Sequence, residues 1–152
     1  MTDQKDVKIL LVEDEEAHAE LTKMNLARSG LTNEIIHFSN GLKVVEFLFK
    51  DNPGNEADKY LMILDINMPG LDGRQVLQRI KRDSRTCTVP VIMLTTAGDE
   101  KEIERCYALG CNLYITKPMD YENFCTAVHQ LGLFIQNAKF PGPSTAMEKA
   151  SA

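Results

Sequence analysis

LMILDINMPGLDG, residues 61–73, carries a strand, a turn and the start of a helix in one stretch. Leu61, Met62, Ile63 and Leu64 form an apolar run too short for a helix, which reads as a strand buried on both faces. Asp65 ends it. Met68-Pro69-Gly70 follows as a rigid turn, expected to leave Asp65 exposed at the strand end. Gly73 lets a helix start close behind, with Val76, Leu77 and Ile80 turned inward and Arg74, Gln78, Arg79 and Lys81 outward.

The same pattern repeats in both directions from this stretch. Residues 9–12 run into Glu13-Asp14, residues 91–94 into Thr95-Thr96, and residues 113–116 into Lys117-Pro118. Asn33 to Phe38 reads as a weaker second strand. Between the strands lie helical stripes: Ala17, Leu21, Met24, Leu26 and Ala27, then Leu42, Val45, Leu48 and Phe49, and later Ile103, Cys106, Tyr107 and Leu109. Gly30 and Gly110 stop the first and fourth helices, while Asp99 or Glu100 opens the fourth. Asp120 caps a fifth helix with Phe124, Val128, Leu131, Phe134 and Ile135 on its apolar face. Strand and helix alternate throughout, which predicts an α/β fold on a parallel sheet. In such a sheet the ligand crevice lies at the carboxyl ends of the strands, so the polar residues that end these runs should meet at one edge.

The chain of 152 residues is one domain with a short remainder. Residues 7–136 hold the patterned part and residues 137–152, with Pro141 to Pro143 reading PGP, are expected to form a flexible tail. Residues 51–59 (DNPGNEADK) read as an exposed loop. The net charge of −5 and the lack of a basic run argue against a nucleic-acid partner. No run approaches the ~18 apolar residues of a membrane span, and the first residues lack a signal-peptide core. A cytoplasmic protein with no membrane partner is expected. Cys87, Cys106, Cys111 and Cys125 show no zinc spacing and are expected to stay reduced as small packing residues.

Glu13 and Asp14 are adjacent carboxylates, costly to hold together unless a positive group offsets them. A hard cation such as Mg2+ suits them, with Asp14 binding directly and Glu13 through water. A helix-capping role explains the pair equally simply. Asp65 can act as a nucleophile toward phosphorus, and the carbonyl of Asn67 can complete a metal shell. Asp72 reads as a turn or capping residue. Thr95 offers a hydroxyl to a phosphoryl oxygen and Lys117 a point positive charge. Each of these alone has an ordinary reading, as a strand terminator or a loop residue. The Lys117-Pro118 bond is a candidate for the cis form.

ILLVED (9–14), MILDINMPGLDG (62–73), VIMLTTA (91–97) and YITKP (114–118) together resemble the receiver domain of two-component response regulators. The resemblance spans nearly all of the folded part, with every motif in order. It implies a flavodoxin-like, doubly wound five-stranded sheet in the order 2-1-3-4-5. It also implies Asp65 as phosphoacceptor, Glu13, Asp14, Asp65 and Asn67 around Mg2+, Thr95 and Lys117 at the phosphoryl group, and Thr95 with Tyr114 as a switch pair. Glu13 departs from the commoner aspartate, which lengthens its reach without changing its charge. The loop at 51–59 and the stretch KRDSRTCTVPVIMLTT (81–96) are similar to stand-alone receivers paired with phytochrome kinases.

On this resemblance a sensor histidine kinase, of the phytochrome type by the loop, transfers its phosphoryl group to Asp65, and output is a change of protein partner. The protein would catalyse only its own phosphorylation and dephosphorylation. Competing readings are a phosphorelay intermediate, a degenerate receiver serving as a scaffold, a flavin-binding module, and a phosphatase using an aspartyl nucleophile. Four acidic residues at 13–16 would repel a flavin phosphate, and Asn67 lacks the second carboxyl such phosphatases need. Tyr107, Phe124, Phe134, Ile135 and Phe140 suggest a homodimer through the fourth and fifth helices.

Overall fold

Side chains alternate across a strand, so strands covered on both faces must feed two cores. The computed structural model, which describes residues 6–51 and 59–139, shows this division. Its sheet comprises β1 (Val7–Val12), β2 (Ile35–Phe38), β3 (Lys59–Leu64), β4 (Val91–Thr95) and β5 (Leu113–Thr116). All pairs are parallel, in the order β2-β1-β3-β4-β5. Leu10, Val12, Met62, Leu64, Val91 and Met93 point to one core, and Ile9, Leu11, Leu61, Ile63, Ile92 and Leu94 to the other. Helices α2 (Gly41–Glu46), α3 (Gly73–Arg82) and α4 (Glu100–Leu109) cover the first face. Helices α1 (Glu16–Arg28) and α5 (Tyr121–Asn137) cover the second. This is the doubly wound, flavodoxin-like arrangement, and the chain reverses its direction of winding between β1 and β3.

Helix starts follow the expected chemistry. Asp72 accepts from the Gln75 N–H while the Gln75 side chain accepts from the Asp72 N–H, a reciprocal box at the start of α3. Asp99 accepts from Lys101 and Asp120 from Asn123, and Asn40 caps α2 through Lys43. Caps of this kind contribute about 0.5–2 kcal/mol each. At the other end of α1, Gly30 takes φ 102°, a left-handed conformation that favours glycine.

Several expectations need correction. In α1, Ala17, Met24 and Ala27 face solvent, and Ala19, Thr22, Asn25 and Leu26 form the buried side. Thr22 and Asn25 can be buried because their side chains donate to the carbonyls of His18 and Leu21 one turn earlier. α2 ends at Glu46 and continues as a π-helical turn, Phe47–Asp51, and Leu42 in its first turn is exposed. β3 starts at Lys59 rather than Leu61, since Lys59 and Tyr60 continue the ladder opposite Val7 and Lys8. On α4 only Cys106 is fully buried, with Ile103 and Leu109 partly covered and Tyr107 exposed. On α5, Phe124 and Ile135 pack into the core while Phe134 is exposed. The loop expected over 51–59 and the tail expected over 137–152 fall largely outside the described residues, and Phe140 lies outside them entirely. α5 itself runs to Asn137. The four cysteines are free thiols, with Cys106 and Cys111 buried.

The start of α3 against the end of β3 depends on one missing side chain. The Gly73 N–H donates to the Ile66 carbonyl at 3.0 Å. A Cβ there would collide with the Asp65 carbonyl oxygen and stand 2.7 Å from Ile66 Cα. Gly73→Ala must push α3 away from the strand, and urea unfolding should show a loss of about 1–3 kcal/mol.

Candidate functional site

Register decides which residues meet at the carboxyl edge. Val12 pairs with Leu64, so the residues that follow, Glu13 and Asp65, stand side by side. The Asp65 N–H donates to the Val12 carbonyl at 3.1 Å. Glu13, Asp14 and Asp65 each place a carboxylate oxygen within 4.8 Å of the others. On the far side Thr95 pairs with Thr116, and the Lys117 N–H donates to the Thr95 carbonyl at 2.7 Å.

From the end of β5 the Lys117 side chain reaches back to the acids. Its ammonium donates to Glu13 Oε1 and lies 3.5 Å from Asp65 Oδ2. Lys117, Glu13 and Asp65 are all buried, Asp65 at only 8 % exposure. The sequence reading had Asp65 open at its strand end, whereas the lysine and the neighbouring acid cover it. Asp14 faces solvent at the mouth. Burial pushes the Glu13 carboxyl up to about 7, against the pull of Lys117, and the Asp65 charge pushes it further the same way.

Thr95 is fully buried at the end of β4. Its Oγ1 accepts from the Ala97 N–H over a long 3.4 Å, and the Tyr114 hydroxyl donates to the Ala97 carbonyl. The backbone of Ala97 is thus held on one side by Thr95 and on the other by Tyr114. Burial pushes the Tyr114 phenol up to about 12, so it stays a donor. The exposed Asn67 donates its N–H to Asp65 Oδ1 at 3.4 Å. The Lys117-Pro118 peptide is trans, as are all the peptides described.

One residue at this site escaped the sequence reading. His18 Nδ1 lies 3.3 Å from the Lys117 ammonium and 3.2 Å from Glu15 Oε2, with its ring 5.9 Å from Phe124. It sits one helical turn after Asp14, and side chains on a helix lean toward its N-terminus, which here is the site. That spacing was the available signal. His18, Leu21, Lys117, Met119, Tyr121 and Phe124 line a cleft of about 310 Å3 beside the lysine.

Three acids against one ammonium leave a deficit of positive charge in a partly buried place. A divalent cation matches that deficit, and the all-oxygen donor set suits a hard one. The residues therefore fit Mg2+.

The model of the response regulator receiver domain matches residues 9–129. Response regulator Rcp1 of the cyanobacterium Synechocystis is 34 % identical over 127 residues, covering 83 % of this chain and 86 % of Rcp1. The Mn2+-bound structure of Rcp1 aligns with TM-score 0.79 at 32 % identity, over 89 % of this chain and 99 % of that one. The phosphorylated cyanobacterial phytochrome response regulator RcpA gives TM-score 0.79 at 33 % identity, over 89 % and 98 %. A receiver domain from Rhodospirillum rubrum reaches TM-score 0.83 at 41 % identity, over 89 % and 97 %. With the motifs, the winding order and the acidic edge all in agreement, this chain belongs to the response regulator receiver family, whose members are signalling proteins.

Proposed function

We propose that residues 7–136 act as a receiver that takes a phosphoryl group from a histidine kinase onto Asp65 and signals by changing its protein contacts. The observation that carries this reading is the Asp65 carboxylate, buried at the end of β3, with a lysine 3.5 Å away and two further acids beside it. Asp65 attacks phosphorus, the bond to the donor imidazole breaks, and an acyl phosphate forms. Asp14, Asp65 and the Asn67 carbonyl would hold Mg2+, with Glu13 acting through water, and the bound ion would supply charge neutralisation to the phosphoryl oxygens. Lys117 exchanges Asp65 for a phosphoryl oxygen, and His18 keeps its ammonium aimed at the site. The cleft beside Lys117 gives a cytoplasmic donor a way in to the site.

Thr95 turns its hydroxyl to the new group and releases the Ala97 N–H. Tyr114 holds the other side of the same residue, so the β4–α4 connection and β5 respond together. The likeness to RcpA and Rcp1 favours a phytochrome-type kinase as donor. A phosphorelay intermediate would use the same site.

Incubation with a small phosphodonor and Mg2+ should give a base-labile adduct on the wild type and none on Asp65→Asn. Lys117→Ala should retain Mg2+ binding and lose most of the adduct. An equal adduct on Asp65→Asn would move the acceptor elsewhere.

Asp14 faces the mouth while Glu13 is tied to Lys117, so the two acids should differ. Magnesium titration should show a larger loss for Asp14→Ala than for Glu13→Ala. The reverse order would mean that Glu13 is the direct ligand.

The apolar output surface on α4 and α5 is reduced by the burial of Phe124 and Ile135. Tyr107 at 46 % and Phe134 at 57 % exposure, with Leu133, remain available for a homodimer. Sedimentation should show a dimer that Phe134→Asp weakens. A chain that stays monomeric with and without a phosphoryl mimic refutes this pairing.

A further inference from the structure

On the face away from the α1–α5 side, α2 and α3 flank a cleft of about 530 Å3 that the phosphoryl chemistry does not use. Its apolar part is Leu42, Val45 and Phe49, and Leu42 is 54 % exposed beside the buried side of α2 formed by Gly41, Val44 and Val45. Around it stand Lys50, Arg79, Arg82 and Arg85, opposed by Glu46 and Asp83. Asp83 is already engaged: Arg85 donates to it through Nε at 3.0 Å and Nη2 at 2.8 Å. The same guanidinium lies 5.2 Å over the Phe49 ring. Among the described residues the side chains of Lys50, Arg79 and Arg82 have no ion-pair or hydrogen-bond partner. Three free cations facing one free acid reverse the sign of a chain whose net charge is −5.

We propose that this cleft docks an acidic amphipathic helix of a partner protein. Arg79 and Arg82 are three residues apart on α3 and so share a face, spaced to meet carboxylates one turn apart on a neighbouring helix. A Leu or Phe on that helix has Leu42, Val45 and Phe49 to cover, and Lys50 closes the end of the groove. Seating a helix over two side-by-side helices is an ordinary groove-binding mode. A nucleic acid fits less well, because three cations around an apolar floor neutralise few phosphates and leave the floor uncovered. The site is separate from the acceptor. α3 begins at Gly73 beside Asp65, and at 1.5 Å per residue Arg82 lies roughly 13 Å further along the helix. A partner held here leaves the acceptor edge and the α4–β5–α5 face free, so it can be bound before and after phosphoryl transfer.

The test uses the full chain, 15N-labelled, titrated with a synthetic helical peptide of about 15 residues carrying Leu on one face and Glu on both flanks. Amide shifts should centre on Leu42, Val45, Phe49, Arg79 and Arg82, and the affinity should fall as salt rises. The double variant Arg79→Glu/Arg82→Glu and the variant Leu42→Asp should each weaken binding by about tenfold or more. All three positions are exposed, so both variants should fold, and their adduct formation with a small phosphodonor should match the wild type. The proposal falls if the peptide leaves these amides unmoved, or if the charge-reversed variant binds it equally. It falls as well if a peptide with Lys in place of Glu binds as tightly. Stronger shifts with a single-stranded oligonucleotide would replace the peptide reading with a nucleic-acid one.

Discussion

Glu13 and Asp65 are forced together by the pairing of Val12 with Leu64, and both carboxylates are nearly out of water. Burial penalises each charge and their proximity penalises the pair. The Lys117 ammonium is the group that offsets them, and it reaches them from the end of the outermost strand, β5. Its reach is possible only because β5 pairs with β4 in a register that brings Lys117 just past the level of Thr95. The compensation is incomplete, since three acids face one lysine. The site is therefore held in shape by one ion-pair network and still attracts a further cation. Any group that adds charge at Asp65 must redistribute the contacts of Lys117.

The location of this network follows from winding. β1 and β3 are neighbours in space although β2 lies between them in sequence, so the helices leaving them depart to opposite faces. The gap that opens there lies above the two acids. Helix α1 then supplies His18 from one side and α3 closes the other, its approach set by the absence of a side chain at Gly73.

Much of this was legible in the sequence because the signals were local. Apolar runs ended by a polar residue marked four of the strands, and Asp72, Asp99 and Asp120 marked helix starts. The residues drawn together at the acidic edge, Glu13, Asp14, Asp65 and Lys117, were all readable as strand-terminating polar groups. What local pattern could not show was what distant groups do to one another. Asp65 looked exposed because the lysine that covers it lies some fifty positions on. The buried side of α1 was misread because Thr22 and Asn25 satisfy their own donors within the helix. His18 carried no signal beyond its distance from Asp14. Leu42 kept the period of a core residue while sitting on a surface cleft.

Differences in anchoring explain why a change at Asp65 should travel toward α4 rather than α3. The start of α3 is held by a reciprocal capping box, by the close contact at Gly73, and by Val76, Leu77 and Ile80 in the core. Moving it would expose three apolar side chains, each contributing about 1.5–3 kcal/mol when buried. α4 buries only Cys106 fully. Its other ties include the Arg74–Glu102 ion pair at 3.2 Å and the Tyr107 hydroxyl, which accepts from the Tyr114 N–H at 3.1 Å. The segment leading into it is gripped at Ala97 by Thr95 and Tyr114, and on the proposed function the first of these would gain a competing partner in a phosphoryl group. Of the helices bordering the acidic edge, α4 would therefore shift at the smallest cost in buried area, and its surface carries the exposed Tyr107.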